Sequence, residues 1–240
     1  MTANRALIEE VTAHLAAEGD PERAESQQRY MKSSMPYLGV TLPRTTAIAK
    51  EVFAAHPLAS YEEWRDTVLA LFRGATHREL WYVAEELAEW RAYREYASRL
   101  ESLSIYEAII TEGAWWDIVD GTAAYLVGGL FASDAEWMTA RMREWSVDPH
   151  LWKRRTAILC QMRRKADTDL GLLYDCIEAN AGDKDFFIRK AIGWALREHS
   201  KTDPHEVIRY VEAHRDILSP LSKREALKRA LKDGLVERVP

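Results

Sequence analysis

Leu221-Ser222-Lys223-Arg224-Glu225-Ala226-Leu227-Lys228-Arg229-Ala230-Leu231-Lys232 is the stretch from which the rest of the chain can be read. Leu227, Ala230 and Leu231 recur at three- and four-residue steps, and Arg224, Lys228 and Lys232 form a basic stripe opposite them. That is the period of an amphipathic helix. Ser222 and Glu225 have the spacing of a capping box, in which a hydroxyl and a carboxylate satisfy the first free amides of a helix. On this reading the helix starts at Ser222, and its N-terminus offers a seat for phosphate. A solvated face is the alternative for any one of the lysines.

The same pattern recurs along the chain. Ser60-x-x-Glu63, Thr76-x-x-Glu79, Ser104-x-x-Glu107 and Ser133-x-x-Glu136 repeat the capping-box spacing. Asp20-Pro21, Asp148-Pro149 and Asp203-Pro204 each put a capping carboxylate before a proline suited to the first helical position. Sustained two-residue alternation is missing. These signals predict an all-α chain of about a dozen helices joined by short turns. Sequential helices on short connections stack as antiparallel pairs, and a long run of pairs makes a curved solenoid with a concave face. No exact repeat is visible, so the repeats would be degenerate, as in HEAT-like arrays. An irregular helical bundle is the alternative architecture. No Gly/Ser- or Pro-rich linker divides the chain, which predicts one domain over residues 1–240.

Composition sets further bounds. The 240 residues are 47% hydrophobic and 30% charged, enough for a sizeable core. No apolar run approaches the roughly 20 residues of a membrane span, so no membrane partner is expected. The start, Met1-Thr2-Ala3-Asn4-Arg5, leads into an amphipathic helix and not an apolar signal segment. Cys160 and Cys176 lack metal-ligand spacing and read as buried free thiols in a reducing, cytoplasmic setting. The net charge is -5, but residues 151–240 carry 19 Lys+Arg against 14 Asp+Glu, a net of +5, and residues 1–150 a net of -10. That asymmetry points to a basic working surface in the C-terminal part. A chance distribution of solvated charges is the alternative.

Three constellations stand out on this helical background. In Ala114-Trp115-Trp116-Asp117-Ile118-Val119-Asp120, the i, i+4 spacing sets the Trp116 indole and the Asp120 carboxylate on one helix face. An aromatic face beside an anion suits a cationic guest. A buried indole with a salt-bridged carboxylate is the plainer reading. Trp115 and Val119 fall on another face, as core. In Asp185 to Glu198, Lys190 and Arg197 stand four before and three after Trp194. An indole between two cations fits a surface that meets phosphates, against a core anchor with snorkelling neighbours. In Trp152 to Lys165, the residues Trp152, Arg155, Thr156, Leu159 and Arg163 share one side of a helix. Arg155 lies at the margin of the apolar stripe, where a half-buried guanidinium fork suits phosphate. A salt bridge to an acidic neighbour on another helix is the alternative. The chain lacks a phosphate-binding glycine loop, a Rossmann fingerprint, a metal-spaced His/Cys cluster and a Gly-x-Ser-x-Gly elbow, so neither metal nor cofactor is expected.

Several stretches, in order along most of the chain, resemble the AlkD-like DNA glycosylases, HEAT-like-repeat enzymes of alkylation repair. They are Arg29-Tyr30-Met31-Lys32, Tyr37-Leu38-Gly39-Val40, Trp115 to Asp120, Arg155 to Leu159, Phe186 to Glu198 and Leu221 to Ala226. The resemblance puts the family's catalytic aspartate at Asp120, its active-site tryptophans at Trp116 and Trp194, and its phosphate-directed arginine at Arg155. It implies a monomeric, monofunctional enzyme that removes cationic alkylpurines such as 7-methylguanine or 3-methyladenine, and bulkier N3 or N7 adducts, from double-stranded DNA. An abasic site would remain. DNA would lie on the concave basic face, met by Arg155, Arg163, Lys190, Arg197, Lys223, Arg224 and Lys228. A non-catalytic helical-repeat module that binds DNA or protein is the alternative.

Overall fold

The computed structural model describes residues 2–240, and among them there is no strand. The contacts divide into two compact units, one ending at Ile105 and one running Tyr106–Pro240.

The first unit holds α1 (Arg5–Ala17), α2 (Pro21–Met31), α3 (Leu42–Ala55), α4 (Tyr61–Arg73), α5 (Arg78–Glu89) and the short α6 (Arg94–Ala97). Helices α1, α3 and α5 lie side by side, and α4 packs against α1 and α5. Leu7, Val11, Ile48, Val52, Trp64, Val68, Val83 and Leu87 fill the space between them. A turn at Tyr37–Val40 is held by one buried carboxylate. Glu79 accepts from the amides of Leu38, Gly39 and Val40 at 2.8–3.2 Å. Gly39 can turn there because its φ is +89°, and a Cβ on it would come within 2.0 Å of the Asp20 carbonyl oxygen.

Helix α7 (Leu103–Gly113) spans the division, and the second unit continues with α8 (Trp116–Gly121), α9 (Ala135–Ser146), α10 (Leu151–Leu159), α11 (Leu170–Glu178), α12 (Phe186–His199), α13 (Pro204–Ala213) and α14 (Pro220–Lys232). Alternate helices form two layers. Helices α8, α10, α12 and α14 neighbour one another in sequence, and α9 packs on α11 behind them. Tyr174 of α11 stacks on Tyr210 of α13 at 4.0 Å between ring centres, which extends the second layer. This is the two-layer stacking expected of degenerate HEAT-like repeats. Cys160 and Cys176 are buried and free, and burial pushes the Cys176 thiol up to about 12.

The helix starts agree only partly with the sequence signals. Ser60, Asp20 and Asp203 cap α4, α2 and α13 as expected. Elsewhere the cap lies nearby. His77 takes the place assigned to Thr76, Asp134 that of Ser133, and His150 that of Asp148. Ser104 sits inside α7 and donates to the Glu101 carbonyl. The cap of helix α14 lies three residues early, with Ser219 accepting from the Ser222 amide. Ser222 is buried and donates to the Arg189 carbonyl at 2.9 Å, so the phosphate seat expected there does not form.

Candidate functional site

The candidate site is built by α8, α10, α12 and α14, neighbours in one layer of the second unit. Helix α7 ends at Gly113, and Ala114 turns the chain with φ +39°, a left-handed conformation that costs a non-glycine residue about 1 kcal/mol. Trp115 then precedes α8 in extended backbone, and Trp116 opens the helix. Asp120 comes one turn later. Directly after it the helix widens into a π-helical segment, Thr122–Val127, a distortion that often accompanies functional sites.

Asp120 and Arg155 form a bidentate pair. Arg155 Nε donates to Asp120 Oδ1 and Nη2 to Oδ2, both at 2.7 Å. The third nitrogen, Nη1, donates to the carbonyl of Phe187 in the first turn of α12. The guanidinium therefore ties α8, α10 and α12 together. Arg155 is 1% exposed, while the Asp120 side chain keeps 19% of its surface open. Burial raises the Asp120 pKa above the usual carboxylate value, and the Arg155 fork only partly opposes this. Of the two sequence readings of Arg155, the salt bridge is the one formed. The phosphate-clamping role lacks an exposed guanidinium, because all three nitrogens are engaged within the protein.

An aromatic cluster backs the pair. Phe187 packs against Trp115 and Trp152 at 5.2 and 5.0 Å between ring centres, and Arg155 also lies 5.9 Å from the Phe187 ring. Trp152 is buried and Trp115 half-buried. Trp116 and Trp194 are both half-buried.

Trp194 is ringed by cations. Arg155, Lys190 and Arg197 stand 5.6, 5.7 and 5.9 Å from its ring centre. The expected flanking of the indole is thus present, but Lys190 and Arg197 are also bound to a common carboxylate. Glu225 of α14 accepts from Lys190 Nζ at 2.7 Å through Oε1 and from Arg197 Nη1 at 2.6 Å through Oε2. Burial works to raise the Glu225 pKa, and Lys190, Arg197 and Lys228 together overcome it, so the carboxyl lies below its usual value. Sequence reading assigned Glu225 to a cap and missed this role. The available signal was Gly193, beside Trp194. A Cβ on Gly193 would stand 2.4 Å from Glu225 Cβ and 2.8 Å from the Ser222 carbonyl oxygen, so α14 seats directly on α12 at that point.

The remaining basic residues divide. Arg163 lies beyond the end of α10 and not on its face. It is exposed and stacks over the half-exposed Tyr125 ring at 4.1 Å. Lys223, expected among the DNA contacts, is half-buried and donates to the Arg215 carbonyl at 2.9 Å. Arg224 and Lys228 are exposed on α14, opposite the buried Leu227 and Ala230, as their spacing predicts.

The family model for "DNA alkylation repair enzyme" matches residues 11–230. A solved structure described as "predicted DNA alkylation repair enzyme from Enterococcus faecalis" shares 30% identity and a TM-score of 0.78, over 88% of this chain and 95% of that one. The structure of Pseudomonas fluorescens alkylpurine DNA glycosylase AlkC, bound to DNA containing an abasic site analog, has a TM-score of 0.52 at 16% identity. That likeness covers 96% of this chain and 62% of the AlkC chain, and concerns the fold alone. No curated protein matches.

Proposed function

Because the chain belongs to the DNA alkylation repair enzyme family, we propose that it is a monofunctional glycosylase that hydrolyses the N-glycosidic bond of cationic alkylpurines in double-stranded DNA. The observation that carries this reading is the Asp120 carboxylate, held by a buried arginine fork and still open to solvent on part of its surface.

Alkylation at N7 or N3 gives the purine a positive charge, so the base departs as a neutral leaving group. The electrons of the C1′–N bond move onto the base, and positive charge moves onto the deoxyribose. Asp120 stabilises that developing charge and orients the water that attacks C1′. The water's proton is lost to the carboxylate or to solvent, and an abasic sugar remains. The fork from Arg155 uses two of the roughly four acceptor positions of a carboxylate, which leaves positions for the water. Trp116, one turn before Asp120, and Trp194, above Arg155, supply aromatic faces to the cationic nucleotide, each worth about 0.5–2 kcal/mol. Neutral bases lack the charge that these groups favour. Arg155 acts here as the holder of Asp120. Phosphate contacts are assigned to the exposed Arg163, Arg224 and Lys228.

The test is excision from duplexes that carry 7-methylguanine, 3-methyladenine or a bulky N3 adduct. Asp120→Asn should slow release of 7-methylguanine on the order of 100-fold and still bind DNA. Parent-like release by Asp120→Asn removes Asp120 from the chemistry. Binding without release by the parent itself supports the non-catalytic module.

A further inference from the structure

Trp194 poses an electrostatic conflict. On the function proposed above it receives a nucleotide that carries positive charge. Yet three cationic groups already surround its ring, and like charges within a few ångströms repel strongly in a partly buried site. Asp120 answers Arg155. The other two cations, Lys190 and Arg197, converge on Glu225 alone.

The placement of Glu225 is specific. Its side chain is 15% exposed, less open than those of Lys190 and Arg197, at 25% and 31%. Each carboxylate oxygen takes one cation. Its height above α12 is set where Gly193 lets the backbones approach and Ser222 bonds the Arg189 carbonyl. Glu225 is the nearest counter-charge available to both Lys190 and Arg197, and the cap role suggested by its spacing with Ser222 does not exist.

We infer that Glu225 is a positioning residue that balances charge at the site. It draws Lys190 and Arg197 away from phosphate, holds them beside the indole, and lowers the positive potential that a cationic nucleotide meets at Trp194. The cost is affinity, because two cations that could grip the DNA backbone are held by the protein. The inference rests on the glycosylase reading, and it predicts opposite effects on binding and on chemistry, which a merely structural residue would not produce.

The test compares the full-length parent with Glu225→Gln and with Lys190→Gln/Glu225→Gln, which returns the local net charge to the parent value. Three quantities are read: affinity for undamaged duplex across a salt series, single-turnover release of 7-methylguanine, and thermal melting. Glu225→Gln should bind undamaged duplex several-fold tighter at low salt, with a log–log salt slope steeper by up to about 1.8, about 0.9 for each freed cation. Its release of 7-methylguanine should slow by about tenfold. The double variant should recover most of that rate and lose about half of the added slope, since Arg197 alone stays freed. Weaker binding together with slower release, unrelieved in the double variant, makes Glu225 a packing residue and overturns the inference. Parent-like release by Glu225→Gln overturns it too, with the glycosylase reading intact. If the parent releases no base, the glycosylase reading fails first, and the balancing role falls with it.

Discussion

At the scale of single residues, the site turns on how Asp120 is held. A carboxyl buried as this one is binds its proton more tightly in the folded chain than in the unfolded one. As pH rises through the window between the unfolded value and the raised folded value, the ionised group lowers stability, and the loss is complete above the folded pKa. The reaction proposed needs the ionised form. Excision should therefore fall on acidification at a pH above the ordinary aspartate value of about 3.9. Arg155→Lys keeps one positive charge but loses the fork and weakens the bond to Phe187. Asp120 should then hold its proton still more tightly, and the acid limb should move further upward. A pH–rate profile for 7-methylguanine release, measured on both proteins, checks this; an unmoved limb in Arg155→Lys sinks the holding role. Asp120 and Arg155 were each legible in sequence as chemically active. Their partnership was not, because 35 residues separate them and nothing in local spacing couples α8 to α10.

Among the helices, the seam between α12 and α14 is the most exacting. Gly193 sits where any side chain would overlap Glu225 Cβ and the Ser222 carbonyl. Gly193→Ala should force the helices apart at a cost of about 1–3 kcal/mol, seen as a melting temperature lower by about 2–10 °C. Gly129→Ala is the control, since a Cβ there meets nothing within 4 Å, and it should melt close to the parent. Equal melting of the two variants would show that the seam tolerates a methyl group. The helices themselves were legible from the spacing of their apolar residues. Several starts were not, and three of them share a reason. Glu79, Glu107 and Glu225 have capping-box spacing, but each is claimed by distant partners: the Leu38–Val40 amides, Lys153, and the pair Lys190 and Arg197. A local pattern cannot register competition from another helix. Ser60 does cap its helix, accepting from the Glu63 amide, and Glu63 accepts from the Ala59 amide even though Asn4 also reaches it.

Taken as a whole, the chain carries a net of -5, which opposes binding to a polyanion. On the function proposed, binding would rest on exposed positive groups, and not every lysine or arginine in the basic residues 151–240 counts. Arg155 is buried, Lys190 and Arg197 are held by Glu225, and Lys223 is bonded to the Arg215 carbonyl. That leaves Arg163, Arg224 and Lys228, among the residues picked out from sequence, as exposed groups that can replace counterions on phosphate. Each phosphate contact contributes about 0.9 to the slope of log affinity against log salt. The triple variant Arg163→Ala/Arg224→Ala/Lys228→Ala should lower the magnitude of that slope by about 2.7. Surface substitutions of this kind should leave thermal melting nearly unchanged. Arg155→Ala, by contrast, should cost about 3–5 kcal/mol of stability, since it leaves a buried carboxylate unpaired, and should change the salt slope little. An Arg155→Ala protein that loses one unit of slope and none of its stability would return Arg155 to the phosphate backbone, where the family resemblance had put it.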